Sequence, residues 1–236
     1  MQTGHAQEVA TVSIAIDGPV ASGKSVVGRR VAERLGFRFL DTGMMYRAVT
    51  WAALRQGASL NDVQALGTLA QQTSARESPG HAATLMRFFV GETDVTDSLR
   101  TPEVERSVSI VSQVADVREA LVQRQRAVAE RQNVVVVGRD IGTVVLPDAT
   151  LKVFLTASPE VRARRRHEEL RQADSQASYS AVLEETKRRD KLDSERTLSP
   201  LKPAPDAVIL NTDGLAIEGV IDRILIEFQR KTGHAR

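Results

Sequence analysis

Asp17-Gly18-Pro19-Val20-Ala21-Ser22-Gly23-Lys24-Ser25 is the stretch that decides the fold. Residues 18 to 25 fit G-x-x-x-x-G-K-[ST], a phosphate-cradling loop. The chemistry requires these residue types at these places. Glycines let the backbone curl until its N–H groups face phosphate oxygens, and Lys24 reaches toward the β- and γ-phosphates. The Ser25 hydroxyl is a ligand for Mg2+, and the helix starting here offers its positive end to an anion. Upstream, Val12 to Ile16 is a short β-branched run that reads as a strand; downstream, Val27, Val31 and Leu35 recur at helical spacing. Strand, glycine loop and helix in that order mark a nucleoside triphosphate site. Its ATP-binding residues are Gly18, Pro19, Val20, Ala21, Ser22, Gly23, Lys24, Ser25 and Val26. Lys24 is expected to stand exposed at the phosphates rather than in the core.

Working outward, further short apolar runs alternate with longer periodic segments. Phe37 to Leu40, Val134 to Val137, Leu151 to Leu155 and Ala207 to Leu210 read as strands, each bounded by Gly, Asp or Pro. A run such as Val134-Val135-Val136-Val137 has no polar alternation, which predicts a strand covered on both faces, as in a parallel sheet. Ser158-Pro159 and Thr101-Pro102 each place a capping hydroxyl before proline at the first helical position. Asp116 followed by Glu119 approximates a capping box. The last helix gathers Ile217, Val220, Ile221, Ile224, Leu225 and Phe228 on one face. The fold class is therefore α/β: a P-loop NTPase with a parallel five-stranded sheet flanked by helices.

Composition narrows the function. At 236 residues the chain is too short for three ordinary domains, and 42% hydrophobic with 26% charged residues excludes wholesale disorder. No apolar stretch approaches the roughly 20 residues of a membrane span. The start, MQTGHAQEVA, lacks the basic and apolar regions of a secretory signal. Absence of cysteine excludes a thiol nucleophile, a disulfide scaffold and a cysteine-held metal. Of the 32 cations, 26 are Arg, whose forked donors suit carboxylate and phosphate. Aromatics at 4% leave little on which to stack bases, and charge of both signs is mixed along the chain. The expectation is a cytoplasmic monomer that binds small-molecule nucleotides, with no nucleic acid and no membrane as partners.

Two regions depart from the alternating pattern. Gln71 to Arg100 is polar and holds one strand-like run, Leu85 to Val90, which reads as an insertion carrying a small antiparallel sheet; its bounds are put at about 69–108. Arg162 to Lys187 is highly charged around a soft QADSQAS centre, the composition of a mobile flap between two helices, put at about 160–188. Residues 1–10 are expected to be disordered, and 11–236 to form the core that carries insert and flap.

The loop does not say where the phosphate goes. No N-K-x-D guanine motif is present, and a motor-type ATPase is usually larger, so a small P-loop kinase is left. Several further strings fall where loops meet the C-terminal edge of the sheet, the usual ligand crevice. They are Leu40-Asp41-Thr42-Gly43-Met44-Met45-Tyr46-Arg47 and Gly138-Arg139-Asp140-Ile141-Gly142-Thr143. Arg162 to Arg166 and Arg188-Arg189-Asp190, with Asp193 and Arg196, follow. Together with GPVASGKS these resemble bacterial cytidylate kinases, the CMP/dCMP kinase family, over about Val12 to Ile221. The pairing of [LI]-D-[ST]-G-x-[ML]-Y-R with G-R-D-[IM]-G-T is highly specific. Gly91-Glu92-Thr93-Asp94-Val95 is one residue longer than the G-x-D-V family members often carry, and Thr42 stands where Ser is also common.

The resemblance implies transfer of the γ-phosphoryl of ATP to CMP or dCMP, giving CDP or dCDP, with Mg2+ as cofactor. The insert would then bind the NMP and the flap would be the lid. By likeness, Arg47, Arg139 and Arg196 hold the acceptor phosphate, where forked donors fix it for in-line attack. Thr42, Arg118 and Asp140 meet the cytosine; Ser112, Arg189 and Asp193 meet the pentose. Lys24, Arg139 and Arg189 are the catalytic set. Arg166 is placed on ATP, while which arginine of the 162–166 cluster reaches the transferring group stays open. Asp41 is open to two roles, Mg2+ through water or capping of the following helix. The competing readings are a P-loop kinase of another small metabolite and a nucleotide-binding regulator without transfer activity.

Overall fold

The computed structural model describes residues 11–77, 85–172 and 176–233. The stretch read as disordered, 1–10, lies outside them, as do residues 173–175 at the soft centre of the flap. In chain order the first elements are β1 (Ser13–Asp17), α1 (Lys24–Leu35), β2 (Arg38–Asp41), α2 (Thr42–Arg55) and α3 (Val63–Gln72). Then come β3 (Thr73–Glu77), β4 (Met86–Val90), β5 (Thr93–Asp94), α4 (Pro102–Val111) and α5 (Ala115–Arg131). The chain closes with β6 (Val134–Gly138), β7 (Leu151–Thr156), α6 (Pro159–Gln172), α7 (Tyr179–Glu195), β8 (Val208–Asn211) and α8 (Ile217–Thr232).

Five strands form a parallel sheet in the order β2-β6-β1-β7-β8. The four valines of β6 explain why this sheet has two covered faces. Val134 and Val136 pack into a core with Leu40 and the α2, α3 and α5 side chains. Val135 and Val137 pack into a second core with Ile14, Ile16, Val27, Val31 and the α8 stripe. All four are fully buried. Burial of each is worth about 1.5–3 kcal/mol relative to exposure. Each of the five expected strands forms, most of them displaced by a residue toward the C-terminus, because polar Asp17, Asp41, Thr156 and Asn211 still pair at the sheet edge. In α8, Val220, Ile221, Ile224 and Phe228 are buried, but Ile217 in the first turn is exposed.

The caps divide. Thr101 accepts from the Val104 N–H, and the Ser158 hydroxyl accepts from Val161, as hydroxyls before proline should. The Asp116–Glu119 capping box is overturned: α5 starts at Ala115 with Val114 as its cap. Asp116 instead sits inside the first turn, where a carboxylate meets the positive end of the helix.

Within the segment read as an insertion, β3, β4 and β5 form an antiparallel sheet, with Thr73 opposite Val90 and Val90 opposite Thr93. The polar strand β3 carried no apolar alternation that would reveal it. Residues 78–84 lie outside the described set.

Candidate active site

Parallel strands end at one edge, and the residues just past those ends build a single cleft. β1 runs into the phosphate loop. Gly18 is required there, since a Cβ would come within 2.3 Å of the Leu155 carbonyl oxygen. Gly23 caps α1 at φ 91°, and Ala21 shares that left-handed region at φ 56°. Left-handed positions of this kind are what an anion nest of backbone N–H groups is built from.

Lys24 departs from its expected exposure: it is 9% exposed, and its Nζ donates to the Pro19 carbonyl at 2.9 Å. Burial, and then the neighbouring Arg139, hold its pKa well below the ordinary lysine value, against Asp41, Asp193 and Asp17. An incoming polyphosphate would reverse that imbalance. The Ser25 hydroxyl donates to Asp41 Oδ2 at 2.7 Å, while Asp41 Oδ1 accepts from the Gly43 N–H as the cap of α2. Capping is thus observed, and it leaves a hydroxyl and a carboxylate oxygen adjacent, a hard donor pair suited to Mg2+.

Asp17 ties the two sides together. In register with Gly138, it accepts from the Ile141 and Gly142 N–H groups at 2.7 and 2.8 Å. Burial raises its pKa to about 6, against those two bonds.

The far end of the cleft is made of paired charges. Arg118 donates to Asp140 Oδ2, and both are buried; Arg196 Nη2 lies 3.6 Å from Asp140 Oδ1. Arg139 Nε donates to Asp193 at 2.8 Å, and Arg47 Nε to Glu105 at 2.9 Å. The Thr42 hydroxyl donates to the Val137 carbonyl at 2.9 Å, and that of Ser112 to the Ser109 carbonyl at 3.1 Å. Tyr46 lines the same wall, its phenol pushed up to about 12 by burial. Burial, then Arg139, lowers Arg189; burial, then Arg118, lowers Arg196 against Asp140. Arg189 Nε and Arg196 Nη2 find no hydrogen-bond acceptor among the described residues. Unmet buried donors cost about 1–3 kcal/mol each, which an oxyanion would relieve.

Most of the expected site residues line this one cleft of about 300 Å3, the size of a small-molecule site. Gly18, Pro19 and Ser22 are not among the residues that line it. The cleft presents eight cationic side chains against five carboxylates, a surplus that suits anionic ligands.

Of the 162–166 cluster, Arg166 alone lines the cleft. Arg162 is buried, forked onto Asp190 and bonded to the Ala157 and Val20 carbonyls, so it braces the phosphate loop. Arg165 donates to the Thr212 carbonyl at 2.9 Å, and Arg164 is exposed. Sequence reasoning missed Arg100, Glu105 and Glu169 in the lining. Glu105, Val108, Ser109 and Ser112 follow i, i+3, i+4, i+7 along α4, a signal that could have found Glu105 from Ser112.

Fold and cleft together define a P-loop kinase, an ATP-dependent phosphotransferase with an acceptor side built for an anion. A family model described as "Cytidylate kinase" matches residues 14–230. A "Cytidylate kinase" of Desulfitobacterium hafniense (strain Y51) is 48% identical over 227 residues, which covers 95% of this chain and 97% of the relative. Another from Exiguobacterium sibiricum is 49% identical, covering 90% of this chain and 95% of the relative. The chain belongs to the cytidylate kinase family. A solved structure of an uncharacterized protein from Eubacterium ventriosum ATCC 27560 aligns with TM-score 0.52 at 14% identity, over 93% of this chain and 99% of that one; it shows the fold alone.

Proposed function

We propose that the cleft takes ATP on the phosphate loop and CMP or dCMP among the arginines, and passes the γ-phosphoryl between them to give CDP or dCDP. The observation that carries this is the union of both ends in one cavity, with Lys24 and Arg139 close enough to lower the lysine's pKa. Transfer is then a matter of positioning and charge stabilisation. Lys24 neutralises the donor phosphates. Arg47, Arg139 and Arg196 grip the acceptor phosphate, and Arg189 answers charge on the moving group. Arg166 covers the donor from the lid. No general base is needed, because the acceptor phosphate is already ionised.

Ser25 and Asp41 would hold Mg2+, which when bound supplies charge neutralisation at the β- and γ-phosphates. Among the described residues no group of three or more acidic or imidazole ligands forms a metal cage of its own, so substrate oxygens would complete the coordination. We extend the reading to a cytoplasmic monomer without nucleic-acid or membrane partners. The monomer draws support from a cleft completed within one chain. The small sheet with α4 would serve as the NMP-binding insert, and α6 with α7 as the lid.

Base choice falls to Asp140, with Arg118 and Thr42. A carboxylate accepts from the exocyclic amine of cytosine and repels the carbonyl that uracil carries there; an amide can donate to that carbonyl. Asp140→Asn should therefore shift the CMP-to-UMP ratio of kcat/KM by about 1–3 kcal/mol, roughly 5- to 150-fold, mostly through weaker use of CMP. Steady-state rates on both acceptors at fixed Mg-ATP decide it. A variant that loses activity on both while keeping the original ratio would make Asp140 a brace for Arg118 and not a reader of the base.

A further inference from the structure

Glu105 and Glu169 are the two cleft carboxylates that lie outside every motif quoted above. Glu169 is exposed and pairs with Arg166 one helical turn away. Glu105 is different. It projects from α4 between α2 and α7, four-fifths buried. One carboxylate oxygen accepts from Arg47 Nε at 2.9 Å, and the other lies 3.6 Å from Arg189 Nη1. The arginines hold its carboxyl below the usual range in spite of its burial, so it is ionised at neutral pH.

Arg47, read as a ligand of the acceptor phosphate, and Arg189, read beside the sugar and the moving group, thus already face an oxyanion, one oxygen each. We infer that Glu105 is an internal stand-in for the anions of the reaction, holding Arg47 and Arg189 before CMP binds and yielding Arg47 to the acceptor phosphate and Arg189 to the moving phosphoryl group. The inference rests on the acceptor reading above. Its physical basis is mutual repulsion. Arg139 and Arg47 both press on Arg189, and without a counter-charge the cluster would spread. A phosphate dianion carries more charge than a carboxylate and also reaches Arg139 and Arg196, so it wins the exchange. The exchange nonetheless lowers net affinity for CMP, and on the way out Glu105 retakes the arginines and speeds loss of product. Weaker ground-state binding with faster release is the direction in which turnover improves. Glu105 acts through the arginines and is a positioning residue.

Glu105→Gln keeps the side-chain length and an oxygen for Arg47 but removes the charge. Inorganic phosphate, titrated calorimetrically with Mg-ADP already on the phosphate loop, should bind on the order of tenfold tighter to the variant, equivalent to about 1.4 kcal/mol. The KM for CMP should fall by a similar factor while kcat also falls, because product is held longer. Glu105→Asp, which keeps the charge, should retain the weaker phosphate affinity. A residue that merely braced the arginines would, once neutralised, leave phosphate affinity unchanged or weakened and raise KM. Either result overturns the inference. Failure of the unaltered protein to turn over CMP would instead sink the acceptor assignment, and the phosphate titration would still decide the role of Glu105.

Discussion

The two ends of the cleft are made in different ways. The donor end comes from nine consecutive residues, and what it offers a phosphate is chiefly backbone, bent inward at Ala21 and Gly23. The acceptor end is assembled from side chains on scattered elements: Arg47 on α2, Arg118 on α5, Arg139 and Asp140 after β6, Arg189 and Asp193 on α7. A backbone nest exists before its ligand arrives, since local dihedral geometry sets it. A cluster of mutually repelling arginines must be held together by counter-charges until an anion arrives, and Asp140, Asp193 and Glu105 supply them. One end is a shape; the other is a balance of charge.

The largest effect should fall on the donor end. Lys24→Met removes a buried, poorly solvated charge and fills its volume, so the fold should keep or gain thermal stability. Phosphoryl transfer should drop by about 3–4 kcal/mol, hundreds-fold. Melting and single-turnover rates check both halves. A folded variant within about tenfold of the unaltered rate would show that the backbone nest suffices without its lysine.

The joint between the ends should respond to pH. Asp17 has a folded pKa of about 6 against an ordinary 3.8, raised by burial. The folded state therefore binds its proton more tightly than the unfolded chain. That contribution to stability is fully present below about pH 3.8 and is lost as pH rises toward 6. The size of the loss is about 3 kcal/mol. The unfolding free energy of the unaltered protein minus that of Asp17→Asn should fall across that window. A flat or rising difference would mean that the two backbone bonds outweigh burial.

How much of this was legible beforehand follows the same division. The phosphate loop, the five strands and the arginines were readable because each depends on neighbours in sequence: a glycine spacing, a run of valines, a motif. What went unread depends on partners far along the chain. Lys24 is covered by surroundings that no local pattern reveals, and Arg162 braces the loop because Asp190, 28 residues on, meets its fork. Asp116 looked like a cap because its spacing to Glu119 was right, yet the turn before it begins the helix at Ala115. Glu105 carried a readable signal, helical spacing to Ser112, but its meaning appears only once Arg47 and Arg189 converge on it.

The smallest effect should come from a single neutral contact at the acceptor end. Ser112→Ala removes one hydroxyl from a wall that Arg189 and Asp193 also furnish, worth about 1 kcal/mol, near fivefold in kcat/KM for CMP. dCMP, lacking one sugar hydroxyl, should lose less. A loss approaching that of Lys24→Met would erase the contrast between the two ends.

Everything above turns on whether the arginine end admits a cytosine nucleotide as acceptor. ADP release with Mg-ATP, followed across CMP, dCMP, UMP, AMP, GMP and a small non-nucleotide alcohol acceptor such as shikimate, tests it most directly. Turnover should be efficient with CMP and dCMP, poor with UMP and slight with the others. Equal turnover of AMP or GMP, or ADP release that does not depend on any acceptor, would contradict it.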